Sequence, residues 1–185
     1  MQTELTVFSE SDPDNVLLLS TNRDEIRKNL HQIGIVYEVW PIDKGISAYS
    51  SHEQILAAYS PFIQNLIVKC GYQSHDVIAL NPEHPDKIAL RKKFLSEHTH
   101  AEDEVRFFVV GSGLFTVHKA GRVYNILCVQ GDLINVPAHT LHWFDMSSEP
   151  YFVAIRFFNN PAGWVANYTG SDIAEKFPRM DLETA

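Results

Sequence analysis

The sequence has little cysteine, no long apolar run and no excess of positive charge. Only Cys70 and Cys128 among its 185 residues are cysteines. Each sits in aliphatic surroundings, Ile67-Val68-Lys69 and Ile126-Leu127, which fits buried free thiols in a reducing compartment better than a disulfide. Stretches such as Val16-Leu17-Leu18-Leu19 are far too short to span a bilayer. Met1-Gln-Thr-Glu-Leu5 lacks the basic and apolar regions of a signal peptide, so the expected location is cytoplasmic, with no membrane partner. Lysine and arginine number 15 against 23 acids, a formal net charge of −8. Neither half of the chain carries a basic face, so no nucleic-acid partner is expected. The one basic cluster, Arg91-Lys92-Lys93, reads as a solvated helix face. There is no internal repeat, low-complexity tract or linker.

Apolar residues make up 45% of the chain, enough for one domain with a sizeable core. We expect a single domain over 1–185, with a mostly helical portion over 1–93 and a β-rich portion over 94–178. In the first portion, Asn22 to Ile33 has apolar residues at helical spacing, with Gly34 as a stop. Ser51 caps a second helix. Pro61 kinks it or opens a third, Phe62 to Cys70, ended by Gly71. Ile35–Trp40 and Val77–Leu80 read as strands, and Pro85–Phe94 as a short helix. Strands are expected at Glu97–His100, Glu104–Val110, Leu114–His118, Arg122–Val129, Asp132–Val136, Thr140–Phe144 and Tyr151–Phe158. Turn signals separate them, among them Gly111-Ser-Gly113, Gly121 and Gly131. A terminal helix is expected over Ser171–Phe177. Many short strands at regular spacing predict a mainly β protein with peripheral helices, a jelly-roll barrel or sandwich.

The chemistry concentrates in His98-Thr-His100-Ala-Glu-Asp-Glu104. Histidines at i and i+2 share one face of a strand. Glu104 follows at the start of the next strand, and His142 arrives after Gly131-x5-Pro137. Three imidazoles and a carboxylate suit one intermediate divalent ion such as Fe, Ni, Mn, Co or Zn. Glu97, Glu102 and Asp103 read as turn charges, any of which can orient an imidazole from behind. His139, at an odd offset from His142, reads as a loop or supporting histidine. His31, His52, His75, His84 and His118 lack partners at ligand spacing and read as surface or helix histidines. Arg106 shares the inward parity of Glu104 inside an otherwise apolar run, Val105 to Val110, and is the expected catalytic cation. Phe144 shares the parity of His142, whereas Trp143 points the other way.

His98-x-His100-x3-Glu104-x6-Gly111 and Gly131-x5-Pro137-x4-His142 resemble the two halves of the cupin pattern. Two positions depart from it: His139 replaces a glycine and Met146 an asparagine. Longer runs resemble the acireductone dioxygenase family. They are Lys93-Phe94-x2-Glu97-His98-Thr-His100-x2-Asp103-Glu104-Val105-Arg106-Phe107, Val136-Pro137-x4-His142-Trp143-Phe144-Asp145, and Phe158-Asn159-Asn160-Pro161-x-Gly163-Trp164-Val165-Ala166. The resemblance extends from about Asn22 to Pro178. It implies a cupin enzyme of methionine salvage that cleaves 1,2-dihydroxy-3-keto-5-methylthiopentene with O2. It further implies one Fe(II) or Ni(II) per chain. The iron form of the family gives 2-keto-4-methylthiobutyrate and formate; the nickel form gives methylthiopropionate, formate and CO. The resemblance also places Phe94, Phe144 and Trp164 around the substrate's methylthioethyl tail. The competing readings are another metal-dependent cupin enzyme and a non-catalytic cupin that binds a metal or small molecule. The expected oligomeric state is a monomer.

Overall fold

The computed structural model describes residues 1–160 and 165–180. The strands are β1 (Glu4–Ser9), β2 (Asp12–Ser20), β3 (Val36–Val39), β4 (Ser74–Leu80), β5 (His98–Thr99), β6 (Glu104–Lys119), β7 (Arg122–Val129), β8 (Asp132–Val136), β9 (Leu141–Asp145), β10 (Phe152–Phe158) and β11 (Asn167–Tyr168). The helices are α1 (Arg23–Gln32), α2 (His52–Ala58), α3 (Ser60–Cys70) and α4 (Lys87–Phe94), with a 3-10 turn at Ile173–Glu175. Every strand pairing is antiparallel. The protein is mainly β with peripheral helices, a jelly roll whose sheet does not close.

Helix boundaries follow local chemistry. The Asn22 side chain accepts from Asp24 N and Glu25 N and starts α1. Ser51 forms a capping box with Gln54 at α2. Pro61 opens α3 as a separate helix, and Gly71 closes it in the left-handed conformation.

The 16-residue β6 organises the sheets. Its first half lies between β10 and β8, in the order β4-β10-β6-β8-β3. Its second half lies between β9 and β7, in the order β11-β5-β9-β6-β7-β1-β2. Phe108, Phe115 and Val117 from β6 join Leu5, Leu30, Ile126, Ile134, Phe144 and Phe152 in the core between the two sheets. Val105, Phe107 and Val109 pack outward against Ile55, Tyr59 and Ile63 of the α2–α3 layer. Each fully buried side chain of this kind contributes roughly 1.5–3 kcal/mol.

Several expectations need correction. The turn expected at Gly111-Ser-Gly113 is a bend within one continuous strand. The first portion is not mostly helical: β1 and β2 form an antiparallel pair, and β1 also pairs with β7. Cys128 is buried, but Cys70 is exposed at the end of α3. The terminal helix shortens to its 3-10 turn.

The bend depends on glycine. Gly111 has φ 74, and a Cβ there would lie 1.8 Å from the Tyr151 carbonyl oxygen, which is backbone and cannot swing away. Gly121 has φ 73 but only a side-chain atom at 3.9 Å. Gly111→Ala should therefore lower unfolding free energy by about 2–4 kcal/mol, from strain and overlap together. Gly121→Ala should cost about 1–2 kcal/mol from conformation alone. Denaturant titration checks the pair, and equal losses would remove the steric explanation.

Candidate metal centre

Three strands, β5, β6 and β9, converge at one cavity. His98 on β5 stands directly across from His142 on β9 in the antiparallel ladder, so both side chains share a face. Their ring centroids are 4.5 Å apart. His100 follows the end of β5, and Glu104 begins β6. All four residues are buried, and one potential ligand atom from each lies within 4.8 Å of the others. The spacing in the sequence supplied this set, and the fold brings it together.

Hydrogen bonds behind the rings decide which nitrogens face inward. Nδ1 of His98 lies 2.7 Å from the Ser96 carbonyl, that of His142 2.8 Å from the Thr140 carbonyl, and that of His100 3.2 Å from the Val165 carbonyl. A carbonyl only accepts, so each Nδ1 carries a proton and donates it. In the neutral ring, each Nε2 then presents a lone pair. Glu104 Oε2 lies 2.9 Å from His142 Nε2 and 3.2 Å from His100 Nε2. Lone pairs that close repel unless a cation sits among them. The donor set thus fits a divalent ion on both geometry and chemistry.

Burial and neighbouring charges act differently on the members of the cluster. Burial, followed by the neighbouring His142, pulls His98 down to about 4, leaving it neutral at pH 7. Burial works against the charge on Glu104, but Arg106, His100 and His142 outweigh it and hold the carboxyl well below its usual range. Burial works against the charged form of His100 as well, but its bond to Glu104 outweighs that and raises it.

Arg106 lies one inward position further along β6. Its Nη2 is 2.7 Å from Glu104 Oε1, so the carboxylate is shared between the guanidinium and the imidazoles. The guanidinium carbon stands 4.6 Å from the Phe144 ring centroid, 5.4 Å from that of Phe115 and 5.8 Å from that of Phe94. The cluster opens onto a cavity of about 230 Å³. Phe94, Phe144 and Arg106 line it, as does Arg156, which is ion-paired to Asp76 at 2.6 Å. Ile78, Leu90 and Arg156 were not singled out from the sequence, and Lys93, read there as part of a solvated helix face, also lines the cavity. Ile78 and Arg156 come from β4 and β10, whose register against each other no local pattern reveals. Trp164 lies outside the described residues.

His139 is exposed and outside the cluster, although its backbone N–H donates to the His100 carbonyl at 2.8 Å. Trp143 faces away and packs on Phe177, as its parity indicated. Glu97 is not a solvated turn charge. It is 4% exposed and lies 2.6 Å from His118 Nδ1 and 2.8 Å from the Thr169 hydroxyl. His118 is accordingly a strand residue between Glu97 and Glu10, not a surface histidine without a partner. Asp103 accepts from the Ala138 N–H at 3.0 Å and so ties the β8–β9 turn to the ligand loop.

A jelly roll holding a buried three-histidine, one-glutamate cluster defines a metal-binding protein of the cupin class. A sequence model of the ARD/ARD' family matches residues 4–166. Acireductone dioxygenase of Klebsiella oxytoca is 53% identical over 176 residues, 95% of this chain and 98% of that protein. Acireductone dioxygenase of Alcanivorax borkumensis is 52% identical over 180 residues, 97% and 99% respectively. The structure of acireductone dioxygenase from Bacillus anthracis with a cadmium ion in its active centre superposes with a TM-score of 0.78 at 31% identity, covering 90% of this chain and 98% of that one. The chain belongs to the acireductone dioxygenase family.

Among the described residues this is a single four-residue site for one divalent metal. His142→Ala should bring metal content well below one ion per chain. His139→Ala should leave it near one, because its side chain is no ligand. Elemental analysis after dialysis decides, and a reversal of the two results would overturn the ligand assignment.

Proposed function

We propose that the enzyme cleaves the acireductone 1,2-dihydroxy-3-keto-5-methylthiopentene with O2, and that His98, His100, Glu104 and His142 hold one Fe(II) or Ni(II). The observation that carries this reading is the buried Arg106 guanidinium beside the four-residue cluster, at the floor of a cavity with aromatic walls. A bound divalent ion supplies Lewis acidity that lowers the pKa of an enediol's vicinal hydroxyls.

The protein's own residues do the rest. Glu104 brings one negative charge and Arg106 one positive, and the three imidazoles are neutral as ligands. With a divalent ion the floor therefore carries a net charge of about +2, matched to an enediolate dianion. Arg106 receives an enediolate oxygen through its planar donors while its other edge keeps Glu104 oriented. Phe94 and Phe144, with Ile78 and Leu90, accept the methylthioethyl tail and exclude water from the reacting carbons. Trp164 belongs with them by family resemblance. The working form is a cytoplasmic monomer of one cupin domain.

The primary test is turnover. Apoprotein reloaded with Fe(II) should yield 2-keto-4-methylthiobutyrate and formate. The same protein with Ni(II) should yield methylthiopropionate, formate and CO. Identical products from two verified single-metal preparations would exclude the metal-dependent switch, and no oxygen-dependent loss of the enediol would exclude the reaction. Arg106→Lys keeps the charge but loses the fork of donors, so turnover should fall by about one to two decades with metal content near normal. Unchanged kinetics would return Arg106 to a purely structural role.

A further inference from the structure

One wall of the cavity stands on unusually little apolar support. Helix α4 has eight residues, none of them fully buried, and Asp86 at its start makes no side-chain cap. A helix this short does not persist alone in water. It nevertheless supplies Leu90, Lys93 and Phe94 to the cavity lining. Leu90 and Phe94 only half-bury against the core between the sheets.

Its attachment to the body is largely polar. Lys87 Nζ reaches both oxygens of Glu149 at 2.9 and 2.8 Å, an exposed pair of little worth. The Tyr168 hydroxyl donates to the Lys93 carbonyl at 3.1 Å. The third attachment is different in kind. Arg91 Nε and Nη2 donate to the two oxygens of Asp145 at 2.8 and 3.0 Å. Asp145 is 1% exposed and Arg91 19%. Asp145 also accepts from the backbone N–H groups of Ser147 and Met180, so its carboxylate is itself rigidly held. It follows Phe144 directly on β9. Arg91 is one residue from Leu90 and three from Phe94. The pair therefore joins the two elements that bring Phe94 and Phe144 together across the cavity, ring centroids 6.4 Å apart.

We propose that Arg91 and Asp145 are positioning residues whose two-point ion pair sets the stance of α4, and with it the width of the apolar side of the cavity. Arg91 is then not part of a solvated basic face. The consequence for the reaction rests on the reading of this cavity as the enediol site: the pair tunes how well the enzyme holds the substrate's tail, while the ion and Arg106 handle the oxygens.

The test compares metal-loaded wild type with Arg91→Met, which retains the apolar stem, and Arg91→Lys, which retains the charge without the fork. Two enediols are used: the methylthioethyl substrate and one whose tail is a methyl group. In Arg91→Met, metal content and kcat should stay within about twofold, and KM for the long-tailed enediol should rise about tenfold. KM for the short-tailed one should change less than about twofold, and Arg91→Lys should fall between. Amide hydrogen exchange across residues 87–94 should accelerate about tenfold in Arg91→Met while β9 stays protected. Equal KM losses for both enediols, a fall in kcat alone, or unchanged exchange would overturn the proposal. If Arg91→Met does not fold, the same comparisons in Arg91→Lys decide it. Failure of wild type to consume either enediol would defeat the functional reading, and the exchange measurement would still decide whether the pair holds α4.

Discussion

Glu104 is a carboxylate with almost no access to water, and it stays ionised because the Arg106 guanidinium and its contacts with the imidazoles of His100 and His142 outweigh the cost of burial. Oε1 faces Arg106 at 2.7 Å, and Oε2 faces the imidazoles of His100 and His142. Taking a carboxylate out of water costs several kcal/mol, and only close, well-oriented partners offset that cost. Replacing one partner leaves the charge stranded. The guanidinium, the carboxylate and the imidazoles therefore form one coupled unit, in which the carboxylate of the four-residue cluster also holds the cavity-lining arginine in place. Aromatic faces of Phe144, Phe115 and Phe94 surround that arginine and give its cation a favourable environment where water is absent.

Placing this unit at the cavity requires a strand that belongs to both sheets. β6 supplies Glu104 and Arg106 while it runs with β8 and β10. Beyond its bend it runs with β9, which carries His142, and β9 in turn pairs with β5, which carries His98. The glycine at position 111 permits the bend because backbone from the turn before β10 comes too close for any side chain. The ligand rings are then oriented by main-chain carbonyls at Ser96, Thr140 and Val165. Backbone acceptors of this kind depend on the course of the chain more than on side-chain identity.

Much of the architecture was legible in local patterns. Asn22, Ser51, Pro61 and Gly71 mark helix ends by chemistry that acts within four residues, and the structure uses each of them so. The strands Arg122–Val129 and Asp132–Val136 keep the bounds that the turn glycines Gly121 and Gly131 set for them. β1 and β2 were missed because their stability is not local: Asp12-Pro13-Asp14-Asn15 consists of residues depleted in strands and becomes strand only on the edge beside β1. Gly111-Ser-Gly113 was read as a break for a related reason, since a glycine that lets a strand bend looks the same in sequence as one that ends it. Glu97 looked like one of several turn acids, and only the arrival of His118 and Thr169 from distant positions buries it.

By itself, the sequence determined the ligand types and their spacing, the parity that puts Arg106 beside Glu104, and the family the chain belongs to. The spacing and parity are properties of neighbours along the chain, where strand periodicity decides which side chains share a face, and the family follows from the resemblance of the longer runs around them. Tertiary structure alone decided which nitrogen of each imidazole points inward. It also decided that Arg156, Ile78 and Leu90 join the cavity, and that Arg91 faces Asp145 rather than water. Those outcomes depend on the register between strands far apart in sequence and on where a short, scarcely buried helix comes to rest, and no local pattern encodes either.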